Sequence, residues 1–239
     1  MVRRRADDEA TAGLPQADFP DTSIAYCRWF WDVIEPEPGK YHWEIIDLAL
    51  SEALEHHQTL AIRLMPPDPK HPLPRWYRDS GARRANRPSD KDGDIWQQDL
   101  TDPPYLKHWG QLVAAAGERY DGHPYLDSVD ISSVGYWGEG WSPYMRPFPY
   151  QKALIDIWLE AFKHTPLLMN FDEQQALTHC TEHGAGWRLD CLGDMRMSSE
   201  NKFSRRRFSI STRSKLRARV SRMCGSPVLC HWLRARLLV

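Results

Sequence analysis

The sequence predicts an α/β fold of the (β/α)8-barrel (TIM-barrel) type. Short runs of β-branched and aromatic residues alternate with longer amphipathic segments along the chain, and this alternation is typical of parallel βαβ units. Most units are about 35 residues long, which leaves room for the long loops that follow the strands of a barrel. No glycine-rich phosphate loop follows any of the runs.

The predicted elements follow in order from local signals. Five runs predict strands: SIAYCRWFW (23–31), TLAIRLM (59–65), YLDSVDISSVGYW (125–137), PLLMNF (166–171) and GWRLDCLG (186–193). Four segments with apolar residues at helical spacing predict helices: 43–57, 102–120, 150–164 and 172–184. In the first helix the predicted buried stripe is Ile46, Leu50, Ala53 and Leu54. A barrel closes with eight strands, so these five predict an incomplete barrel with open edges that self-associates.

Composition limits the class of protein. The chain has 239 residues, of which 41% are hydrophobic and 26% are charged, as in a globular domain with a sizeable core. No apolar run approaches the roughly 20 residues that span a bilayer, and no secretory signal follows the first residues. We therefore expect no membrane span, and a cytoplasmic location for the sequence as written, or an extracellular one if the true N-terminus lies upstream.

Charge divides the chain into three parts. Residues 196–239 carry twelve Lys/Arg and one acidic residue, whereas residues 1–195 carry 19 basic and 31 acidic residues. We predict a disordered arm at 1–20, a partial barrel domain at 21–197 and a basic tail of low order at 198–239. The tail is either a segment never selected as part of the fold or a basic arm for nucleic acid or anionic lipid. It shows no regular pattern of aromatic residues for stacking on bases, which favours the first alternative and makes nucleic acid an unexpected partner.

The segment YCRWFWDVIEPEPGKYHWEIIDLAL, residues 26–50, is the most distinctive. It resembles the second strand and helix of β-galactosidase-like and cellulase-like (β/α)8 glycoside hydrolases of clan-A type. In that family an Arg-containing strand runs into W-x-x-I-E-P-E-x-G-x-Y-x-W. The matching positions are Trp31, Ile34, Glu35, Pro36, Glu37, Gly39, Tyr41 and Trp43. The resemblance extends over roughly residues 22–195 and implies a truncated barrel of about strands two to six that acts on a carbohydrate.

The resemblance also implies a catalytic carboxylate. In GYWGEGW, Glu139 stands where the family carries its general acid/base, just beyond the strand that matches the family's fourth. Trp137 and Trp141 flank it and would raise its pKa by excluding water. The family pattern usually has Asn before this Glu, an amide that holds the sugar 2-hydroxyl, and here Gly138 takes that position.

Further substrate contacts are expected from one arginine and from tryptophans. The family has an Arg at the position of Arg28, where a bidentate contact could orient a catalytic carboxylate. Trp31 and Trp76 fall near strand ends or in loops, and flat indoles match the apolar faces of sugar rings. With Trp137 and Trp141 they form the predicted substrate-binding set.

A glycoside hydrolase needs a second carboxylate, about 5 Å from the first in retaining enzymes and about 6.5–9.5 Å in inverting ones. Asp172, Glu173, Asp190 and Asp194 lie at or just after predicted strands, but a helix cap for Asp172 and solvated charges for the rest are the favoured explanations. Two functions therefore stay open: a hydrolase of a β-linked sugar or polysaccharide, and a non-catalytic carbohydrate-binding or inactive barrel fragment.

A third function comes from HCTEH, residues 179–183, which has the H-x-x-E-H form of inverted zinc peptidases. His179 and His183 would share a helix face, with Glu182 as the base. The pattern needs a third ligand far downstream, where Glu200 is the single acidic residue of the tail. The five cysteines include no C-x-x-C pair, which disfavours a zinc ribbon. We expect neither a metal nor a cofactor.

Overall fold

The computed structural model describes residues 22–68, 71–90, 96–132, 135–138, 144–170 and 174–188. The strands are β1 (Ile24–Phe30), β2 (Thr59–Met65), β3 (Leu126–Asp130), β4 (Leu167–Asn170) and β5 (Gly186–Arg188). The helices are α1 (Trp31–Ile34), α2 (Glu44–Glu55), α3 (Arg75–Asp79), α4 (Pro103–Tyr120), α5 (Phe148–Ala161) and α6 (Gln174–Glu182), and a 3-10 turn spans Tyr136–Gly138. The predicted arm and basic tail lie outside the described residues.

The five strands form one parallel sheet in the order β1-β2-β3-β4-β5. Each strand therefore pairs with the next strand in the chain, and α2, α4, α5 and α6 lie in the successive connections. A doubly wound sheet reverses its strand order at a switch point, whereas a barrel keeps the order sequential. The architecture is a partial (β/α)8 barrel, as predicted.

The two faces of the sheet differ in chemistry. Side chains alternate between faces along a strand, and register-paired residues of parallel strands share a face. One face belongs to the apolar core under the helices: Trp29, Leu60, Ile62, Leu64, Val129, Ile131, Leu167 and Met169. The opposite face carries Tyr26, Arg28, Arg63, Ser128, Asp130, Asn170 and Arg188. The face that corresponds to the inside of the barrel, called the polar face below, therefore holds these polar and charged groups, with the buried apolar residues Ala61, Met65 and Leu168 between them.

Helix α4 is the largest contributor to the core between sheet and helices. Its buried side chains are Tyr105, Trp109, Leu112, Val113, Ala116 and Tyr120. The Trp109 ring lies 5.4 Å from that of Trp31 and 6.4 Å from that of Trp158, so it joins the segment after β1 to α5. None of the described helices combines the length and the apolarity needed to cross a bilayer.

Three details differ from the sequence-based prediction. Leu54 is 44% exposed instead of buried, because Ala53 takes the sheet-facing position in the last turn of α2 and Leu54 lies about 100° further round the helix. Strand β1 ends at Phe30, since Trp31 already begins α1. Strand β3 ends at Asp130 rather than residue 137, because the chain folds back onto the end of β2, where the Ser132 hydroxyl donates to the Leu64 carbonyl.

Asp121 joins the end of α4 to the segment that precedes β4. Its carboxylate accepts the backbone N–H groups of Lys163, His164 and Thr165 at 3.0, 2.9 and 2.8 Å. Partial burial opposes ionisation, but these hydrogen bonds and the His164 ring hold the pKa of Asp121 well below its usual range. The end of α4 is thereby tied to the segment that leads into β4.

Helices α4 and α5 approach closely at Gly117, and we expect Gly117→Ala to lower stability. A Cβ there would lie 2.4 Å from the Ala161 carbonyl oxygen, a backbone atom that can yield only if the helices separate. This overlap should outweigh the gain in helix propensity and lower the free energy of unfolding by about 1–3 kcal/mol in urea denaturation.

Gly110→Ala on the same helix is the matched control. Its Cβ would meet only the tip of the Ile157 side chain, at 3.0 Å, and that tip can move. We expect a change between zero and about 1 kcal/mol of stabilisation from helix propensity. Equal losses in the two variants would show that the helices are not held at Gly117.

Candidate functional site

A buried carboxylate organises the polar face of the sheet. Asp130, the last residue of β3, has a side chain that is 1% exposed. It accepts a hydrogen bond from the Tyr26 hydroxyl of β1 and one of 2.5 Å from Arg188 Nε of β5. Arg63 of β2, equally buried, places its Nε 3.7 Å from the second Asp130 oxygen. One carboxylate thus contacts side chains from three other strands.

The electrostatics of this cluster keep the phenol of Tyr26 neutral. Burial raises the pKa of Tyr26 far above its usual value, and the negative charge of Asp130 raises it further, against the opposing effect of Arg63 and Arg188. A neutral phenol donates its proton to the carboxylate, which is the arrangement that the hydrogen bond requires. The cluster is therefore one anion held by a neutral donor and two guanidinium groups.

Arg28, a predicted site residue, lies on the same face. It is register-paired with Arg63 and partly buried. Within the described part of the chain, the structure gives Arg28 no hydrogen bond or ion pair. Its guanidinium group is therefore available for a carboxylate or hydroxyl group inside the barrel, although the residues that would receive it are not among those described.

The turn that precedes Glu139 is held against the carboxyl end of β2. The backbone N–H of Trp137 donates to the Pro67 carbonyl at 3.1 Å, and its indole Nε1 donates to Asp68 Oδ2 at 3.3 Å. Trp137 has φ 53°, in the left-handed region that non-glycine residues seldom adopt. Carboxyl ends of barrel strands carry the active sites of this fold, so Trp137 occupies the expected edge.

Gly138 has no space for the amide that the family pattern carries. Its φ is +72°, and a Cβ would lie 2.4 Å from the Ser132 Cβ. The Ser132 hydroxyl is itself bonded to the Leu64 carbonyl, so Ser132 is fixed in place. An asparagine could not occupy this position without a different path of the backbone.

Trp31 is not a substrate-binding residue, contrary to the prediction. Its side chain is completely buried among Tyr77, Tyr105 and Trp109, and its indole N–H donates to Glu35 Oε2 at 2.6 Å. No face of the ring is left for a sugar. The sequence placed it at a strand end, but the chain has already turned into α1 and towards the helices.

Glu35, at the centre of the family-like motif, closes the turn after β1. Besides Trp31, its carboxylate accepts the Gly39 N–H at 2.7 Å, and its carbonyl accepts Trp76 Nε1 at 2.9 Å. Burial raises the pKa of Glu35, although the hydrogen bonds from Trp31 and Gly39 oppose the rise. Glu35, the most noticeable acid of the motif, thus has a structural role.

Trp76 is partly exposed and packs against His108, so its predicted sugar contact stays a prediction.

The remaining predicted site residues are not among the described ones. Glu139 and Trp141 lie outside the described residues, as do the candidate second carboxylates Asp172, Glu173, Asp190 and Asp194. Two open grooves of about 520 and 510 Å³ lie on the outer side of α4, lined by helix residues and by the turn after β1, away from the polar face. They carry none of the predicted catalytic groups.

In the HCTEH segment, His179 pairs with an aspartate of the neighbouring helix. His179 on α6 is buried, and its Nε2 lies 2.6 Å from Asp156 Oδ1 on α5. His183 lies just past the end of α6, where its Nδ1 contacts the His179 carbonyl oxygen at 2.7 Å. Among the described residues, no group of three His, Cys, Asp or Glu side chains is placed to hold a metal ion.

Sequence reasoning missed the Asp130 cluster and Asp68. A signal was present, because a charged residue interrupts an apolar strand in both AIRLM and SVDIS. Charged side chains inside such runs are seldom buried unless they are paired. The partners could not be named from sequence, since they lie on strands separated by 58 to 104 positions in the chain.

A comparison with models of protein families identifies the family of this chain. The family model of glycoside hydrolase family 42, described as beta-galactosidase, matches residues 7–134, more than half of the chain. The chain belongs to this family. It is a clan-A type (β/α)8 glycoside hydrolase-like protein, as the motif resemblance predicted. No curated protein sequence matches it.

Solved structures with similar folds are distant. The endo-glycoceramidase II from Rhodococcus sp., in complex with a cellobiose-like isofagomine, is 12% identical with a TM-score of 0.45, over 62% of this chain and 41% of that one. The β-galactosidase from the psychrophilic Marinomonas ef1 is 17% identical with a TM-score of 0.41, over 61% and 32%. That from Rahnella sp. R3 is 14% identical with a TM-score of 0.42, over 59% and 30%. The chain therefore spans less than half the length of these proteins.

Removal of the Asp130 carboxylate should be strongly destabilising. Asp130→Ala takes away the described counter-ion of Arg63 and Arg188 in a buried setting, which costs about 3–5 kcal/mol of unfolding free energy. Urea denaturation followed by circular dichroism measures the loss. The control is Asp127→Ala on the same strand, since Asp127 is only partly buried and bonded to Ser128. A similar small loss in both variants would contradict the organising part assigned to Asp130.

Proposed function

We propose that the chain is a glycoside hydrolase that cleaves an O-glycosidic bond of a β-linked sugar or polysaccharide. The observation that carries this proposal is the match of residues 7–134 to glycoside hydrolase family 42. The polar inner face of the sheet supports it, because an enzyme site needs charged and hydrogen-bonding groups within the barrel mouth.

Glu139 is the proposed general acid/base. A carboxylic acid at this place would protonate the leaving glycosidic oxygen, and its conjugate base would later accept a proton from water. Trp137 and Trp141 are proposed to flank it and to contact sugar. The neighbouring residue Gly138 follows directly after Trp137 at the carboxyl edge of β2 and β3, which supports a position of Glu139 at the mouth.

Arg28 is the proposed partner of a catalytic carboxylate. A guanidinium group binds a carboxylate through two parallel hydrogen bonds and favours its ionised form. Arg28 shares the polar face with Arg63 and Asp130, and Asp130 is already occupied by Tyr26 and Arg188. Among the described residues of this face, Arg28 is therefore the cation without a hydrogen bond or ion pair, and it stands at the position where the family motif has an arginine.

One observation favours the second candidate function, carbohydrate binding without hydrolysis. Gly138 stands where family members carry an amide for the sugar 2-hydroxyl, and the position cannot accept a side chain. A chain without that amide loses a hydrogen bond that strengthens in the transition state. Binding of sugar with no detectable turnover would select this alternative.

The test of the hydrolase proposal is Glu139→Gln. We expect kcat on aryl β-glycosides with poor leaving groups to fall about 100- to 10,000-fold, because glutamine cannot transfer a proton. Good leaving groups need less protonation, so their loss should be smaller.

The matched control is Glu37→Gln, which changes an exposed acid paired with Lys40 in the turn after β1. It should leave turnover unchanged. Unaltered hydrolysis by the Glu139→Gln variant, on good and poor leaving groups alike, would remove Glu139 from the mechanism.

We also propose that the chain self-associates through its sheet edges. Within the described residues, β1 and β5 are the two edge strands, and each pairs on one side. Edge strands offer N–H and C=O groups to another chain. Sedimentation velocity at low micromolar concentration should show species larger than a monomer that grow with concentration. A monodisperse monomer would refute this proposal.

A further inference from the structure

The loop after β2 and the turn after β3 are joined by one carboxylate, Asp68. Its Oδ1 accepts the backbone N–H of His71 at 2.6 Å, and its Oδ2 accepts the indole N–H of Trp137 at 3.3 Å. The Asp68 N–H also donates to the His71 carbonyl at 2.9 Å. The His71 ring in turn stacks on Phe30 at the end of β1, with the ring centres 4.2 Å apart. Three consecutive strand ends are thus connected through Asp68.

The turn that Asp68 holds has an unfavourable backbone. Trp137 adopts φ 53° between Gly135 and Gly138, which both have positive φ. A bulky residue in the left-handed region stays there only when its surroundings fix it. The fixing contacts are the indole bond to Asp68, the backbone bond to Pro67 and the close packing of Gly138 on Ser132. The indole bond is the one among these that a side-chain substitution can remove alone.

We propose that Asp68 is a positioning residue, whose carboxylate holds the Trp137 indole and thereby fixes the Trp137–Gly138 turn that precedes Glu139 in the chain. The proposal rests on the proposed function of Glu139 and adds to it the group that orients its turn. Asp68 acts through Trp137 and touches neither substrate nor the reacting atoms. Hydrolysis by Glu139 would depend on it, because small displacements of a proton donor reduce turnover steeply.

The effect of Asp68 has to be distinguished from the effects of other titratable groups at this edge. Asp32, at the start of α1, is half-buried, and burial raises its pKa, with His71 opposing the rise and Asp68 adding to it. Asp32 has no described contact with Trp137. Asp32→Asn is therefore the matched control for Asp68→Ala, since it removes a carboxylate from the same edge and leaves the indole bond intact.

The experiment uses the full chain with 15N-labelled tryptophan, and Trp137→Phe identifies the Trp137 indole resonance. In the parent we expect slow exchange of this N–H with water, because the indole N–H is bonded to Asp68. In Asp68→Ala the exchange should be at least about tenfold faster, whereas Asp32→Asn should resemble the parent. Parent-like exchange in Asp68→Ala would overturn the proposal.

A second measurement separates positioning from simple packing. With 13C-labelled glutamate, the carboxyl titration of Glu139, identified through Glu139→Gln, should shift in both Asp68→Ala and Trp137→Phe. Where the parent hydrolyses aryl glycosides, both variants should lose about 10- to 100-fold in kcat, with little change in KM for Asp68→Ala, and the double variant should be no worse than the poorer single one. An unchanged Glu139 titration, or additive losses, would overturn the proposal.

The two proposals fail separately. Turnover that survives Glu139→Gln would remove the catalytic function of Glu139, while the indole exchange and the Glu139 titration would still decide whether Asp68 positions the turn. Loss of turnover in Glu139→Gln together with parent-like kinetics in Trp137→Phe would keep the hydrolase and reject the positioning residue.

Discussion

The pairing of one buried anion with groups from three other strands is the constraint on which the polar face depends. Asp130 contacts Tyr26, Arg63 and Arg188, so β1, β2 and β5 each send a side chain to the last residue of β3. Desolvation of a carboxylate and two guanidinium groups is costly, and their mutual attraction repays it only in a close arrangement. A slip of one residue in any of these strands would turn its partner to the apolar side. The cluster therefore specifies the register of the strands that contribute to it.

The two faces of the sheet also contribute differently to stability. The helix-facing side supplies cohesion through a continuous apolar core that includes Trp29, Ile62 and Val129. The inner side also buries Ala61, Met65 and Leu168, but it has guanidinium, carboxylate and amide groups at positions where a closed structural barrel would carry branched apolar residues. Polar groups buried at this expense are typical of a face kept for chemistry.

The fold was largely predictable from the sequence, and the site was only partly so. The bounds of β2 and most of the buried stripe of α2 follow from the local pattern of apolar residues, although this pattern indicates neither the burial of Arg63 nor the exposure of Leu54. The ends of β1 and β3 were predicted too far along the chain. Strand β1 stops where Trp31 begins α1, and β3 stops where Ser132 and Trp137 bond to the distant carbonyls of Leu64 and Pro67. The Asp130 cluster required the register of five strands, which no local pattern contains.

The family-like motif after β1 has a different meaning in the structure from the one its acids first imply. Glu35 binds Trp31, Gly39 and Trp76, three residues that the motif or the following loop also supplies. The most recognisable stretch of the chain thus identifies the scaffold, whereas groups with weak sequence signals, such as Arg63 and Asp68, form the polar inner face and the edge of the mouth. This explains why the motif match identified the fold but did not identify the residues of the polar inner face.

The crowding at Gly138 bears on how such a chain could change in evolution. A single codon change to asparagine would meet Ser132 and a backbone angle that disfavours any side chain. The change would become tolerable only with a different path of the turn or with more space at Ser132. Substitutions that add hydrogen-bonding side chains to this edge of the sheet would therefore be tolerated more readily at other strand ends than at position 138.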